Sequence, residues 1–163
     1  MKNTDKQISS SLYIAVINIA VYLLYKIKFF DSTNICNDDI LSRIQGSFVH
    51  VNFTHLAMNL IGLYILSDIE KVVGSEKFIK VVLFIIASSS IIETILKTSC
   101  SIGFSGVLYG LLAYEMFIKK KIELDIIIVL VTLCFIPDNY SNISHSGHLI
   151  GFVSGMAAYY ILS

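Results

Sequence analysis

One serine, two histidines and an asparagine are the residues of this chain whose types and spacing could do chemistry. Gly103-Phe104-Ser105-Gly106 sets Ser105 where a polar loop meets a strongly apolar segment. A serine at a helix start has free backbone N–H groups and the positive end of the helix dipole beside it, a place where an oxyanion can be stabilised. His148 opens the last apolar segment, and His55 and Asn59 lie one helical turn apart near the start of the second. Polar residues at the ends of hydrophobic segments are costly in a membrane, and that cost points to function.

A hydroxyl is a weak nucleophile until a base within hydrogen-bond reach takes its proton. Ser105 is the candidate nucleophile and His148 the candidate base. His148 shares a helical face with Gly151 and Gly155, at i, i+3 and i+7, and Ser105 is followed by Gly106 and Gly110. Glycines at small-xxx-small spacing let two backbones approach closely, which a Ser–His hydrogen bond between helices needs. No carboxylate obviously completes a triad. A dyad oriented by packing is the expectation, because a buried carboxylate is expensive in lipid. His55 and Asn59 project from one face of their helix. Their N–H groups, with the backbone N–H of Ser105, could stabilise a developing oxyanion. Tyr109, one turn below Ser105, could pack on the His148 ring.

Taken singly, each residue has a plainer reading. A serine in an apolar helix commonly bonds back to a carbonyl, and a histidine or asparagine there commonly holds helices together. The joint pattern is what departs from this. His50 and His145 lie off the motif faces and read as interfacial or supporting. Glu93 and Glu115 are placed near the inner or middle part of their spans, with no assigned role. Glu70 with Lys71 reads as a solvated or capping pair. There is no His-Glu-x-x-His, and the carboxylates lie far from the histidines in register. No metal or other cofactor is expected.

The elements that must position these residues follow from composition. The chain has 163 residues, 55% hydrophobic and 15% charged, with zero net charge and a mean hydropathy of +0.75. Soluble domains carry about 25% charged residues, so a polytopic membrane protein of one domain is expected, without a basic patch for nucleic acid. Six apolar segments are read, roughly 8–25, 51–68, 78–96, 105–118, 124–137 and 147–162. The first follows Lys2 and Lys6 but lacks a small-x-small cleavage site, and is read as a retained span. Residues rise about 1.5 Å each in a helix against a hydrocarbon core of about 30 Å. One or both of the short fourth and fifth segments should therefore begin below the membrane surface, leaving Ser105 recessed. With the N-terminus inside, eight of the twelve Lys and Arg residues fall on inside segments and four outside, so both termini are expected in the cytoplasm. The second, fourth and sixth spans then all start on the outer side, bringing His55, Ser105 and His148 to one depth. Cys36 and Cys100 fall in loops on that same side, and free thiols are the expectation for both.

These residues resemble the rhomboid family of intramembrane serine proteases. His50-Val51-Asn52-Phe53-Thr54-His55-Leu56-Ala57-Met58-Asn59 is similar to the family's second-span motif. Glu70, Gly74, Lys77 and Phe78 resemble its Glu-x-x-x-Gly-x-x-Arg-Phe continuation. Gly103 through Gly110 resembles the nucleophile motif, and His148 through Gly155 the His-x-x-Gly-x-x-x-Gly of the sixth span. The resemblance implies an all-α bundle of six transmembrane helices over 1–163, with a water-filled cavity open outward. It implies Ser105 and His148 as a catalytic dyad, His55 and Asn59 as oxyanion donors, and supporting roles for Gly103, Tyr109, Gly151 and Gly155. It further implies a first loop partly in the membrane, and a fifth span or last loop that gates substrate access. Substrates would be single-span membrane proteins, cut near the outer end of a helix with small or destabilising residues. The family's first-loop Trp-Arg pair is absent; Arg43 stands about one position off, which bears on how the loop docks and not on the chemistry. Two rival readings remain at this stage. One is a relative that binds membrane proteins without cutting them. The other is a transporter component, for which no inverted repeat is found.

Overall fold

The structure, a computed structural model, describes residues 9–29, 37–99, 101–120 and 144–162. Among these every regular element is a helix: α1 (Ser10–Lys26), α2 (Ile40–Gly46), α3 (Phe53–Leu66), α4 (Asp68–Val73), α5 (Ser75–Leu96), α6 (Ser105–Lys119) and α7 (His145–Leu162). Five of the six expected apolar segments are thus helical. The fifth, 124–137, lies outside the described residues, as do Cys36 and Cys100. Ser75–Leu96 alone among the described helices is long and apolar enough to cross a membrane by those two measures, and Ser10–Lys26 is a shorter apolar helix. A six-span count therefore does not follow from helix length.

Local chemistry sets where the helices begin and end. The Asn52 side chain accepts the His55 N–H at 2.8 Å and starts α3. Asp39 accepts from Ser42 and starts α2, and the Ser42 hydroxyl and N–H hold its carboxyl below the usual value. Gly74, at φ +84°, ends α4 and opens α5 directly. The expected second span of 51–68 ends early: Ser67 closes α3 after Leu66, and α4 begins at Asp68.

The N-terminus of α1 is capped from sixty residues away. No side chain near Ser9 does it. Instead Glu70 accepts the Ser10 N–H at 2.6 Å, the Ser11 N–H at 3.0 Å and the Ser75 hydroxyl at 2.6 Å. One carboxylate thus joins α1, α4 and α5, with its charge at the positive end of a helix dipole. Burial pushes its pKa up, but these hydrogen bonds outweigh it and hold the value at about 2. Of the expected solvated or capping pair, Glu70 does cap a helix, but it is buried and not solvated, and Lys71 bonds Asp68 instead of joining it.

The core lies between α3, α5, α6 and α7, with Phe78, Val81, Ile85, Phe104, Leu111 and Tyr114 at its centre. The most extensive pairing is α6 with α7. A methyl group at Gly151 would run into the carbonyl oxygen of Gly106, and one at Gly155 into that of Gly110. Only glycine permits this approach, and it brings the starts of α6 and α7 together. Away from the core, large apolar side chains are exposed, including Leu12 and Val16 on α1, Met58 and Ile61 on α3, Leu83 and Ile95 on α5, and Val153 and Ile161 on α7. Such faces suit lipid rather than water.

Candidate active site

The loop before α6 is held by two backbone contacts. The Gly103 N–H donates to the Gly46 carbonyl at 2.9 Å, and the Phe104 N–H points at His50 Nε2 at 3.5 Å. His50 is fully buried, and its Nδ1 meets the Phe48 carbonyl at 3.1 Å. That second contact puts the ring proton on Nδ1 and leaves Nε2 as the acceptor. Gly103 has φ +105°, and a Cβ there would lie 2.6 Å from His55 Nε2. The loop therefore needs glycine twice over, for its backbone angle and for the His55 ring against it. It delivers Ser105 as the first residue of α6, where the leading N–H groups have no helical partner.

Ser105 Oγ and His148 Nε2 are 2.8 Å apart. His148 sits in the first turn of α7 and is 8% exposed. The Tyr109 ring lies 4.3 Å from the His148 ring, tilted by 30°. His148 Nδ1 is buried, without a hydrogen-bond partner among the described residues. Among the described residues it is packing by Tyr109, and not a carboxylate, that holds the ring face.

His55 and Asn59 line a cavity of about 600 Å³ together with Ser105 and His148. Asn59 Nδ2 donates to the His55 carbonyl at 2.9 Å, which engages one of its two N–H bonds locally and leaves the other. The rings of His55 and His50 meet edge to face, with centroids 5.1 Å apart. The structure thus brings all four candidate residues to one cavity, with Gly103 and Tyr109 in its wall and Gly151 and Gly155 behind it. Among the described residues no cluster of histidine, cysteine or carboxylate side chains could hold a metal ion.

The same cavity is lined by groups to which the sequence reading gave no role. Glu93 is not near the inner or middle part of its span. It lies in the last turn of α5, lines the cavity beside His55 and His148, and is 3.4 Å from the Arg43 guanidinium. The expectation that the carboxylates stand far from the histidines is corrected by this position. Arg43 also donates to the Thr98 carbonyl at 3.0 Å, so the first loop docks on the loop before α6 through this arginine. Glu115, by contrast, pairs with Lys119 at 2.9 Å at the opposite end of α6. No signal along the chain could have paired Arg43 with Glu93, because the two stand fifty positions apart on different helices.

Residues 39–163 match the model of the rhomboid domain. The chain is 32% identical over 151 residues to protein L523 of Acanthamoeba polyphaga mimivirus, whose name carries a provisional rhomboid assignment; the match covers 88% of this chain and 85% of that one. It is 26% identical over 119 residues to the rhomboid protease GluP of Bacillus subtilis (strain 168). That second match covers 68% of this chain but only 24% of the longer GluP. Membership of the family makes the chain an integral membrane protein. A family match over three-quarters of its length, on a helical fold that brings Ser105, His148, His55 and Asn59 to one cavity, means that this chain belongs to the rhomboid family.

Proposed function

We propose that the chain is an intramembrane serine endopeptidase working through Ser105 and His148. The observation that carries this reading is the 2.8 Å contact between Ser105 Oγ and His148 Nε2 within the cavity. His148 Nε2 takes the hydroxyl proton as Ser105 Oγ bonds to the scissile carbonyl carbon. The negative charge that develops on the carbonyl oxygen is met by the Ser105 backbone N–H, the His55 ring and the remaining N–H of Asn59. The intermediate collapses as His148 returns the proton to the leaving amine, and water then releases the acyl group by the same steps in reverse.

The working unit is one membrane domain over 1–163 with six spans. Substrates are single-span membrane proteins, cut near the outer boundary where small or helix-destabilising residues let the backbone extend. Helical backbone hides its carbonyls in hydrogen bonds, so unwinding must precede attack. Both termini lie in the cytoplasm by the distribution of lysines. A tag after Ser163 that antibody reaches only in permeabilised cells supports this orientation, and staining of intact cells contradicts it.

The test is cleavage of a reporter transmembrane segment by the purified protein in lipid vesicles. The wild type should cut it, and Ser105→Ala and His148→Ala should fall to background, on the order of 10⁴-fold or more. Cleavage that survives both substitutions contradicts the mechanism. Binding of the segment without any cleavage by the wild type favours a relative that escorts membrane proteins.

A further inference from the structure

A polar belt runs across the cavity beside the dyad. Arg43 on α2 donates to Glu93 on α5 at 3.4 Å. Arg43 also donates to the Thr98 carbonyl at 3.0 Å, in the loop before α6, and in that loop the Ser101 hydroxyl, which lines the cavity with Glu93, lies 2.9 Å from the Ser144 hydroxyl. Ser144 caps α7: its hydroxyl accepts the Gly147 N–H at 3.1 Å, and its carbonyl accepts the His148 N–H at 3.1 Å. A methyl group at Gly147 would run into the Ser101 hydroxyl, so Ser101 is seated directly on the residue before His148.

The two serines stand in register with the dyad. Ser101 lies four residues ahead of Ser105, and Ser144 four residues ahead of His148. Ser101–Ser144 at 2.9 Å and Ser105–His148 at 2.8 Å are two rungs between the same pair of segments. The Ser144 hydroxyl accepts from its own helix and also lies 3.3 Å from the Ser146 hydroxyl, and in its contact with Ser101 either serine can be the donor. Glu93 reaches this loop through Arg43, since the carboxylate holds the guanidinium that donates to the Thr98 carbonyl. Arg43 balances the charge, and both members of that pair are nearly fully buried. A lone buried carboxylate would be too costly to retain.

We propose that Glu93 and Ser101 are positioning residues, which set the separation of Ser105 and His148 by locking the loop before α6 to the capped start of α7. The proposal rests on the reading of Ser105 and His148 as a catalytic dyad. Neither residue touches the reacting atoms; each acts through the two segments that carry them.

The experiment compares the full-length wild type with Ser101→Ala, Ser101→Thr and Glu93→Gln in detergent. It reads the rate of Ser105 labelling by a fluorophosphonate probe, kcat and KM for a reporter segment, and the unfolding midpoint. Misplacing a reacting group by about 1 Å costs about 10²-fold. Ser101→Ala and Glu93→Gln should lower both the labelling rate and kcat by about ten- to a hundredfold, with KM within about twofold of wild type. The unfolding midpoint of Ser101→Ala should stay close to that of wild type. Ser101→Thr keeps the hydroxyl and should restore most of the rate. Labelling of Ser101→Ala at the wild-type rate overturns the belt. So does a Ser101→Thr variant as slow as Ser101→Ala. Should Glu93→Gln fail to fold, Ser101→Ala still decides, because it leaves the Arg43–Glu93 pair in place. A wild type that does not label at all defeats the serine protease reading and the belt with it. A wild type that labels beside an equally fast Ser101→Ala defeats the belt alone.

Discussion

His55 and Asn59 are adjacent on one helix turn, but they are not equivalent. The His55 ring lies against Gly103, the loop residue two before Ser105. Asn59 already gives one N–H to the His55 carbonyl. A single oxyanion donor contributes about 2.7–4 kcal/mol, or about 10²–10³ in kcat. His55→Ala should therefore lower kcat for reporter cleavage by about that factor, and Asn59→Ala by less. An Asn59→Ala loss equal to that of Ser105→Ala would mean that Asn59 does more than meet developing charge. The i, i+4 spacing of this pair could be read along the chain, as could Tyr109 one turn from Ser105, because helical periodicity alone places them. Arg43, Glu93, Ser101 and Ser144 could not. Each is an ordinary polar residue whose partners lie on other elements, and only the tertiary fold brings them to one cavity.

At the scale of elements, two devices hold the bundle. The first is the glycine seam between α6 and α7, whose spacing was visible in the sequence. Gly155→Val would drive a side chain into the Gly110 carbonyl. Overpacking of this kind costs about 1–3 kcal/mol. Because the same seam sets the Ser105–His148 contact, cleavage should fall more steeply than the unfolding midpoint. Equal activity in a stable Gly155→Val variant would show that the seam does not position the dyad. The second device is Glu70, which the sequence presented as an ordinary charge beside Lys71. Its contacts lie on α1 and at the start of α5, so its role depends on how the helices pack. A carboxyl depressed from 4.5 to about 2 by folding stabilises the fold fully above its unfolded value. That contribution is lost as pH falls from 4.5 toward about 2. The unfolding midpoint of wild type should therefore drop across this window, and that of Glu70→Gln should start lower and drop less. Parallel curves for the two proteins would remove Glu70 as the cause.

Over the whole molecule, apolar composition made a membrane protein legible before any element was placed, and the exposed apolar faces of α1, α3, α5 and α7 agree with it. Helix bounds were less legible. Hydropathy does not distinguish the end of α3 from the start of α4, where Ser67 closes one helix and opens the next. The first loop was the least legible part. It docks through Arg43 and the Gly46 carbonyl, backbone and side-chain contacts that leave no periodic trace. All these elements converge on one claim, that His148 activates Ser105. Fluorophosphonate labelling, mapped by mass spectrometry, tests it most directly. The wild type should carry the adduct on Ser105, and His148→Ala should label at least about a hundredfold more slowly. Absence of the adduct, its appearance on another serine, or wild-type labelling in His148→Ala would contradict the account.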